Sequence, residues 1–404
     1  MEGVVSVAGA VKAEITVHPK NKPKSVTLSE AKGLKILRFA QKDTGSYVTL
    51  NSRKTKKSGP GLAKILSFAL FAALLAAFLA FIGGRGEYAA SLNKVNAWNK
   101  QRFDDFYALP PDSLDLVFIG SSHSYCTFDP LLIDGALGTF SFQMGMPLQF
   151  PDATYYTLRE ILNRQRPDTV VMELYWGVMS ADFDMKQADT LFQVMRNDAL
   201  KEDYFKNVFP AGSKIMYRLP FARFQQELLG YWNAKLTGCA ERTFDVSKPG
   251  EAQAGTEYYS DRGFMHCDYV ITPGKRSWAN QFNGFDGAKW TFSETQKKYI
   301  GKIAELCESE NMRLLFVTAP VANASMEIIK NYSAVHERVA GFAQSLGVPY
   351  LDFNAVNQKE RLFTDENFRD DAHLNYSGAV IACGYMEGWI KEWTKKQTTE
   401  PATE

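Results

Sequence analysis

The sequence predicts an α/β protein: a three-layer sandwich with a largely parallel sheet, an inserted aromatic-rich cap and one N-terminal transmembrane helix. Three observations predict it. Short apolar runs bounded by turn residues alternate with stretches of helical periodicity, an arrangement typical of parallel sheets covered by helices. One uncharged run is long enough to cross a bilayer. A segment dense in aromatic residues interrupts the alternation of strands and helices.

Charge is distributed unevenly along the 404 residues. Residues 1–61 contain 12 Lys and Arg against 4 Asp and Glu, and the rest of the chain contains 34 against 41. Because binding to nucleic acid requires concentrated positive charge, we expect the acidic body not to bind it. Residues 1–61 show no sustained apolar period, and we expect them to form a disordered basic tail in the cytoplasm.

Residues 65–84 form a run without a single charged side chain. As a helix the run would be about 30 Å long, the thickness of a hydrocarbon core, so residues 62–84 are predicted to be a transmembrane anchor. Five Lys and Arg residues lie between positions 53 and 64, whereas only Arg85 and Lys94 follow closely. The positive-inside rule then predicts a single-pass protein of the cell membrane whose C-terminal body is extracytoplasmic. A buried core helix and a signal peptide cleaved near Ser91 are the alternatives.

Beyond the anchor, a helical linker is expected over 85–112, followed by alternating strands and helices. The predicted strands are 114–119, 139–143, 169–174, 313–318 and 349–353. The predicted helices are 153–165, 290–311, 324–346 and 378–396. These elements assign residues 113–178 and 289–396 to one catalytic α/β domain, and residues 397–404 are expected to be a disordered C-terminus.

Residues 179–288 interrupt this rhythm and are rich in aromatic side chains. Two interpretations stay open and are compatible: the rings form the core of an inserted cap, or they line a substrate groove. Cys239 and Cys267 both lie in this insertion, and a disulfide between them stays open. The five cysteines of the chain show no CxxC and no metal-ligand spacing, so we expect no metal and no cofactor.

Two polar segments stand out at the predicted ends of elements. Gly120, Ser121 and Ser122 follow the first strand directly, and Asp370 and His373 precede the last helix. A serine hydroxyl becomes a nucleophile when a histidine takes its proton, a carboxylate orients that histidine and fixed N–H groups stabilise the oxyanion. An Asp three residues before a His allows both side chains to meet in a tight loop, so the segments together predict a serine nucleophile site.

The strand followed by Gly-x-Ser, together with the C-terminal Asp-x-x-His, resembles the SGNH/GDSL hydrolase superfamily. The resemblance implies that Ser122 is the nucleophile, that His373 is the base and that Asp370 orients it. It also implies an oxyanion hole made by the backbone N–H groups of Ser122 and Gly145. His123 is expected to point away from the site, because adjacent side chains on a turn diverge.

One block of the family pattern is absent. Where the family has Gly-x-Asn-Asp after the third strand, this chain has Met172 to Gly177, with Glu173 expected as a structural anchor beneath the site. The membrane-tethered acyl-transfer branch of the family, which includes D-alanyl transfer proteins of teichoic-acid synthesis and acetyl-transfer proteins of alginate-type exopolysaccharides, often lacks this block too. The resemblance therefore implies that branch.

The function that follows is a membrane-anchored, extracytoplasmic serine esterase or O-acyltransferase. It would act through an acyl-enzyme on the O-acyl groups of a cell-envelope polysaccharide or polymer. The resemblance further implies an acylated glycan as substrate and a multispanning membrane protein as acyl donor. Hydrolase and transferase are not distinguished by sequence, since both use the same acyl-enzyme. The alternative is a non-catalytic polysaccharide-binding or scaffold protein of an envelope acylation complex, with the aromatic cap as its binding surface.

Overall fold

The structure is a computed structural model that describes residues 26–31, 34–39, 47–50, 61–91, 94–237, 257–271 and 280–399. The chain divides into two units, residues 1–78 and 79–404. The strands are β1 Val26–Ala31, β2 Leu34–Phe39, β3 Tyr47–Leu50, β4 Leu116–Ile119, β5 Ser141–Gln143, β6 Thr169–Glu173, β7 Glu257–Tyr259, β8 Met265–Cys267, β9 Arg313–Thr318 and β10 Tyr350–Asp352. The helices of the N-terminal half are α1 Leu62–Ser91, α2 Lys94–Ala108, α3 Ser122–Thr127, α4 Pro130–Leu137, α5 Pro151–Leu162, α6 Trp176–Met179, α7 Met185–Val194 and α8 Asp198–Val208. Those that follow are α9 Ala211–Tyr217, α10 Pro220–Arg223, α11 Gln225–Thr237, α12 Glu294–Ser309, α13 Asn323–Met326, α14 Tyr332–Ser345, α15 Phe353–Glu360 and α16 Tyr376–Thr399.

The first unit contains a three-stranded antiparallel sheet in which β2 lies between β1 and β3. The expectation of a disordered tail over 1–61 is therefore wrong for the segment that holds these strands. The reason is visible in the residues: β1 and β2 both alternate apolar with polar side chains over most of their length, which is the period of a strand. Two residues separate β1 from β2 along the chain, a spacing typical of hairpins.

Helix α1 is the one helix in the described residues that is long and apolar enough to cross a membrane. It extends beyond the predicted anchor, which was expected to end at residue 84. Ten of its large apolar side chains between Leu62 and Phe81 are exposed.

Five strands of the second unit form a parallel sheet in the order β10-β9-β6-β4-β5. Each corresponds to one of the five predicted strands. Alternate residues of β4 face opposite sides of this sheet: Val117 and Ile119 join the core beneath α5, α12 and α14, whereas Leu116 and Phe118 join the core beneath α16. Helices thus cover both faces, and the prediction of an α/β sandwich with a largely parallel sheet is confirmed.

The expected linker over 85–112 is instead part of the folded body. Helix α2 buries Trp98, Phe103 and Phe106, and the guanidinium of Arg102 is fully buried, where its Nε and Nη2 donate to the Gly263 carbonyl at 3.1 and 2.9 Å. A linker between an anchor and a domain would leave these groups in water. Helix α2 therefore packs directly against the insertion.

The insertion continues the core of the sheet. Tyr204, Phe205, Phe209 and Tyr217 are buried and contact one another with ring centroids 4.9 to 5.6 Å apart, in the same apolar cluster as the strands. Their burial favours the interpretation that these aromatic residues build a core. Cys267 of β8 is buried and unpaired, and its candidate partner Cys239 lies outside the described residues.

The predicted helix over 324–346 is divided into α13 and α14. Between them Lys330 forms a parallel bridge with Asp286, and its carbonyl accepts from the Gly287 N–H at 2.8 Å. Asn331 then adopts a left-handed conformation with φ 52° before α14 begins. A pairing between two distant segments thus interrupts a pattern that looks continuously helical along the chain.

Candidate active site

The turn after β4 is fixed onto the neighbouring strand β6. Gly120 has φ +138°, and a Cβ there would lie 2.8 Å from the Cβ of Glu173, so only glycine fits. The backbone N–H and the hydroxyl of Ser121 donate to Glu173 Oε2 at 3.0 and 2.7 Å. The expected anchoring contact of Glu173 is therefore present. Burial raises the pKa of Glu173 to about 7, although its hydrogen bonds from Ser121 lower it.

Ser122 is the first residue of α3, with Ser121 as the N-cap. The Ser121 hydroxyl accepts from the His123 N–H at 3.2 Å, whereas the Ser122 N–H has no hydrogen-bond partner among the residues that the structure describes. The first N–H groups of a helix have no partner within it and carry partial positive charge. This N–H is consequently available to an anionic oxygen beside the Ser122 hydroxyl.

Ser122, His373 and Asp370 form one hydrogen-bonded chain. The Ser122 Oγ lies 2.9 Å from His373 Nε2, and His373 Nδ1 lies 2.9 and 3.1 Å from the two carboxylate oxygens of Asp370. Asp370 Oδ1 also accepts from the backbone N–H groups of Ala372 and His373, both at 2.8 Å. The three residues singled out in sequence are therefore brought together from elements about 250 residues apart in the chain.

The charge of Asp370 selects which ring nitrogen of His373 carries the proton. Burial alone would raise the pKa of Asp370, but the charge and hydrogen bond of His373 and the charge of Arg369 lower it well below the usual range. An ionised Asp370 can only accept, so Nδ1 of His373 carries the proton. In the neutral imidazole Nε2 is then the acceptor, and it accepts the Ser122 hydroxyl proton.

Arg369 is a site residue that the sequence reasoning missed. Its Nε lies 3.3 Å from Asp370 Oδ2, and its Nη1 lies 2.6 Å from Glu257 Oε1. Glu257 begins β7 of the insertion, so a two-stranded hairpin holds the arginine that contacts the acid of the site. An Arg directly before the Asp-x-x-His segment was the available signal, although the partner Glu257 is distant in sequence.

Gly145 lies at the predicted position but its N–H is not available. A Cβ there would be 3.0 Å from the Ser121 carbonyl, so the residue packs closely on the turn. The Gly145 N–H donates to Gln143 Oε1 at 2.9 Å. The prediction that it forms half of an oxyanion hole with Ser122 thus does not hold in this arrangement, because a side chain two residues earlier occupies the donor.

His123 lies in the site, contrary to the expectation that it would point away. Its ring is buried, stacks on Tyr175 at 4.0 Å between centroids and lies 4.7 Å from the His373 ring. Gly177 leaves room for Tyr175, since a Cβ at Gly177 would be 2.5 Å from the Tyr175 Cζ. Burial, together with the charge of His373, lowers the pKa of His123 well below its usual value, so this ring packs as a neutral group. Tyr175 and Gly177 belong to the segment that departs from the Gly-x-Asn-Asp pattern.

The described residues contain no group of three or more His, Cys, Asp or Glu side chains placed to hold a metal ion. The groups at the site are instead a hydroxyl, an imidazole, a carboxylate and one N–H without a partner. Such a set is sufficient for nucleophilic acyl transfer.

Known proteins offer remote likenesses. No protein-family model matches the chain, and no curated protein matches it. A solved GDSL-like lipase from Bacteroides thetaiotaomicron matches with 11% identity and a TM-score of 0.34, over 74% of this chain and 98% of the lipase. An acetyl xylan esterase matches with 12% identity and a TM-score of 0.32, over 68% of this chain and 98% of the esterase. These likenesses are too remote to carry an argument, so the chemistry of this chain must come from its own contacts.

Proposed function

We propose that this protein is a membrane-anchored, extracytoplasmic serine esterase or O-acyltransferase that acts on O-acyl groups of a cell-envelope polysaccharide or polymer. The observation that carries the proposal is the hydrogen-bonded chain from Ser122 through His373 to Asp370 at the carboxyl edge of a parallel sheet. Ligands of such sheets bind at this edge. The apolar helix α1 supports the anchor, and the resemblance to the SGNH/GDSL superfamily supports the substrate class.

The reaction would proceed through an acyl-enzyme. Ser122 Oγ attacks the acyl carbonyl while His373 Nε2 takes the proton of the Ser122 hydroxyl. The oxyanion that forms accepts a hydrogen bond from the Ser122 N–H. The tetrahedral intermediate collapses, the bond to the sugar oxygen breaks, and His373 returns the proton to that oxygen. Water or a second hydroxyl then attacks the acyl-enzyme, losing its proton to His373, which finally reprotonates Ser122.

The exposure of the site supports a large substrate. Ser122, Asp370 and His373 are each only half-buried, so an ester on a polymer can approach the hydroxyl from solvent. Hydrolysis and transfer share every step except the identity of the second attacking oxygen. The multispanning acyl-donor partner, implied by the resemblance, would matter for transfer alone.

A specific observation favours the non-catalytic alternative. With the Gly145 N–H held by Gln143, the described site offers the oxyanion one backbone donor, from Ser122. Removing a single oxyanion donor costs roughly 100- to 1,000-fold in rate in other enzymes. A scaffold that keeps the fold and binds polysaccharide would tolerate such a loss.

The experiment that separates the two is active-site labelling of the full chain in detergent. A fluorophosphonate probe should add one adduct by intact mass, and p-nitrophenyl acetate should be turned over. Both should be lost in Ser122→Ala and kept in Ser309→Ala, a serine near the end of α12 whose hydroxyl donates to the Leu306 carbonyl at 2.9 Å. A folded wild-type protein that gives no adduct and no turnover would contradict the enzyme and favour the scaffold.

A further inference from the structure

Helix α1 emerges from its apolar run in direct contact with the insertion. A Cβ at Gly83 would lie 2.7 Å from Pro220 Cβ, and one at Gly86 would lie 2.7 Å from Phe224 Cβ. Ala90, one turn further on the same face, is buried. Small residues at these positions let the chain around α10 approach the helix backbone, so α10 packs where the predicted membrane-spanning run ends.

The helices on either side of α10 carry apolar side chains exposed to solvent. Six of the thirteen large apolar side chains that are exposed in the described part of residues 79–404 lie between positions 215 and 236. They are Ile215, Met216, Leu219, Leu229, Trp232 and Leu236, each 40% to 84% exposed. We call these six residues, which lie within 22 positions of the chain, the apolar patch; the other exposed apolar residues are scattered singly or in pairs along the unit.

The patch has a defined face. On α11 its members Leu229, Trp232 and Leu236 are spaced i, i+3 and i+7, which places them on one side of the helix. Phe224 and Leu228 are buried on the inner side. The solvent-facing side of α11 therefore carries an apolar stripe.

The charge around the patch is complementary to phospholipid. Residues 206–237 contain five Lys and Arg and a single acidic residue, Glu227, in a body that is otherwise acidic. Lys206 and Arg218 are exposed. Basic residues beside an apolar helical face are the signature of segments that lie in a membrane interface, where cations contact anionic headgroups.

We propose that α9, α10 and α11 form a lipid-contacting face that lies on the bilayer surface, next to the segment of α1 that begins at Gly83. Ile215, Leu229 and Leu236 enter the boundary between headgroups and acyl chains, and Lys206 and Arg218 contact lipid phosphates. This inference rests on the membrane anchor of the proposed function and goes beyond it. A second attachment would hold the body at a fixed orientation and keep the Ser122 site at a constant height above the bilayer.

The test is depth-dependent quenching in the full chain. The background is Cys239→Ser, since the four described cysteines are buried and resist labelling. An environment-sensitive fluorophore is placed at Leu229→Cys, with Leu70→Cys in the apolar run as the span control and Val380→Cys on α16 as the solvent control. The protein is reconstituted into vesicles of phosphatidylethanolamine and phosphatidylglycerol that contain acyl-brominated phosphatidylcholine.

We expect lipid quenching at positions 70 and 229 and iodide quenching at position 380. Quenching at 70 with an iodide-accessible label at 229 would overturn the lipid-contacting face and leave the anchor intact. No lipid quenching at 70 would overturn the anchor and this inference together. A label at 229 that is shielded only in native membranes, and not in purified lipid, would mean that a membrane protein covers the patch, which also overturns the inference.

A second measurement tests the charges, with the fluorophore again at position 229. Replacing Lys206 and Arg218 by Gln should make quenching at position 229 weaken several-fold when phosphatidylglycerol is present, while the span control stays unchanged. Thermal unfolding of the same samples reports whether each variant is folded. An unchanged dependence on phosphatidylglycerol would contradict the proposed headgroup contacts.

Discussion

The structure contains two His–Asp pairs that look alike and differ in what surrounds them. His373 Nδ1 lies 2.9 Å from Asp370, and His336 Nδ1 lies 2.8 Å from Asp352. At the other nitrogen of His373 is the Ser122 hydroxyl, whereas Nε2 of His336 has no hydrogen-bond partner among the described residues. A His–Asp pair alone is thus a common structural contact, and the hydroxyl on the opposite nitrogen is what makes one of these pairs a candidate for catalysis.

The two aspartates are also held differently. The Asp352 side chain is fully buried and accepts from the Tyr332 hydroxyl at 3.0 and 3.1 Å and from the Asn354 N–H at 2.9 Å. The Asp370 side chain is 35% exposed and contacts Arg369. Asp352 is therefore tied into the end of β10 and the start of α15, whereas Asp370 lies in a loop with access to substrate. The comparison predicts opposite effects on activity and stability.

The largest predicted effect is on activity. His373→Gln should lower the rate of fluorophosphonate labelling and of p-nitrophenyl acetate turnover by about 1,000-fold or more, because Ser122 loses the group that takes its proton. His336→Gln, the matched change in the other pair, should leave both rates within about twofold. If the two variants lost activity equally, the distinction between the pairs would be wrong.

The second largest predicted effect is on stability, and here the pair of His336 and Asp352 matters more than the pair of His373 and Asp370. Asp352→Asn should lower the free energy of unfolding by about 2 kcal/mol, because an amide cannot accept from all the donors that converge on this buried carboxylate. Asp370→Asn should lower the free energy of unfolding by a smaller amount, since the Asp370 side chain is 35% exposed and water can solvate the groups left without their partner. Thermal unfolding of both proteins in the same detergent measures the difference, and a larger loss in Asp370→Asn would contradict it.

The parallel sheet and the Ser–His–Asp chain could be predicted because both depend on short segments with local signatures. Apolar runs mark the strands, and Ser122 follows one of them directly. His373 and Asp370 are three residues apart, so their contact is local and the pairing with Ser122 needed only the rule that ligands bind at the carboxyl edge of the sheet.

Other features depend on contacts that no local signature reveals. Whether the Gly145 N–H is free depends on the rotamer of Gln143. That rotamer is decided by which nearby groups hydrogen-bond the Gln143 side chain. Arg369 meets Glu257 through a hairpin in the insertion, and helix α2 packs on Gly263 of the same hairpin region through Arg102. The position of the insertion on the body depends on tertiary contacts. The sequence therefore indicated that the insertion is rich in aromatic residues, but not that it contributes to the site.

A smaller effect on activity should follow from the link between the insertion and the site. Arg369→Gln should lower kcat by about tenfold, with KM little changed, because Asp370 loses one of the groups that orient it. Glu257→Gln should act in the same direction with a smaller effect, since Arg369 keeps its contact with Asp370. Arg369→Lys should restore part of the loss, as it keeps the charge. A change confined to thermal stability would show instead that Arg369 has a purely structural role.

The smallest predicted effect concerns the pH dependence of stability. It separates the contribution of the charge in the pair of His336 and Asp352 from the contribution of its packing. The hydrogen bond to Asp352 raises the pKa of His336 above its usual value of 6.5, so the folded protein binds this proton more tightly than the unfolded chain. The stability that results is fully present below about pH 6.5 and is lost as the pH rises through the raised pKa.

Buried Glu173, with its pKa near 7, also makes stability fall between about pH 4.5 and 7, but it does so equally in wild type and in His336→Gln. The difference between the two melting temperatures should therefore be largest near pH 5.5 and should shrink as the pH rises towards about 8.5. A difference that stays constant over this range would mean that His336 stabilises the fold by packing and not by its charge.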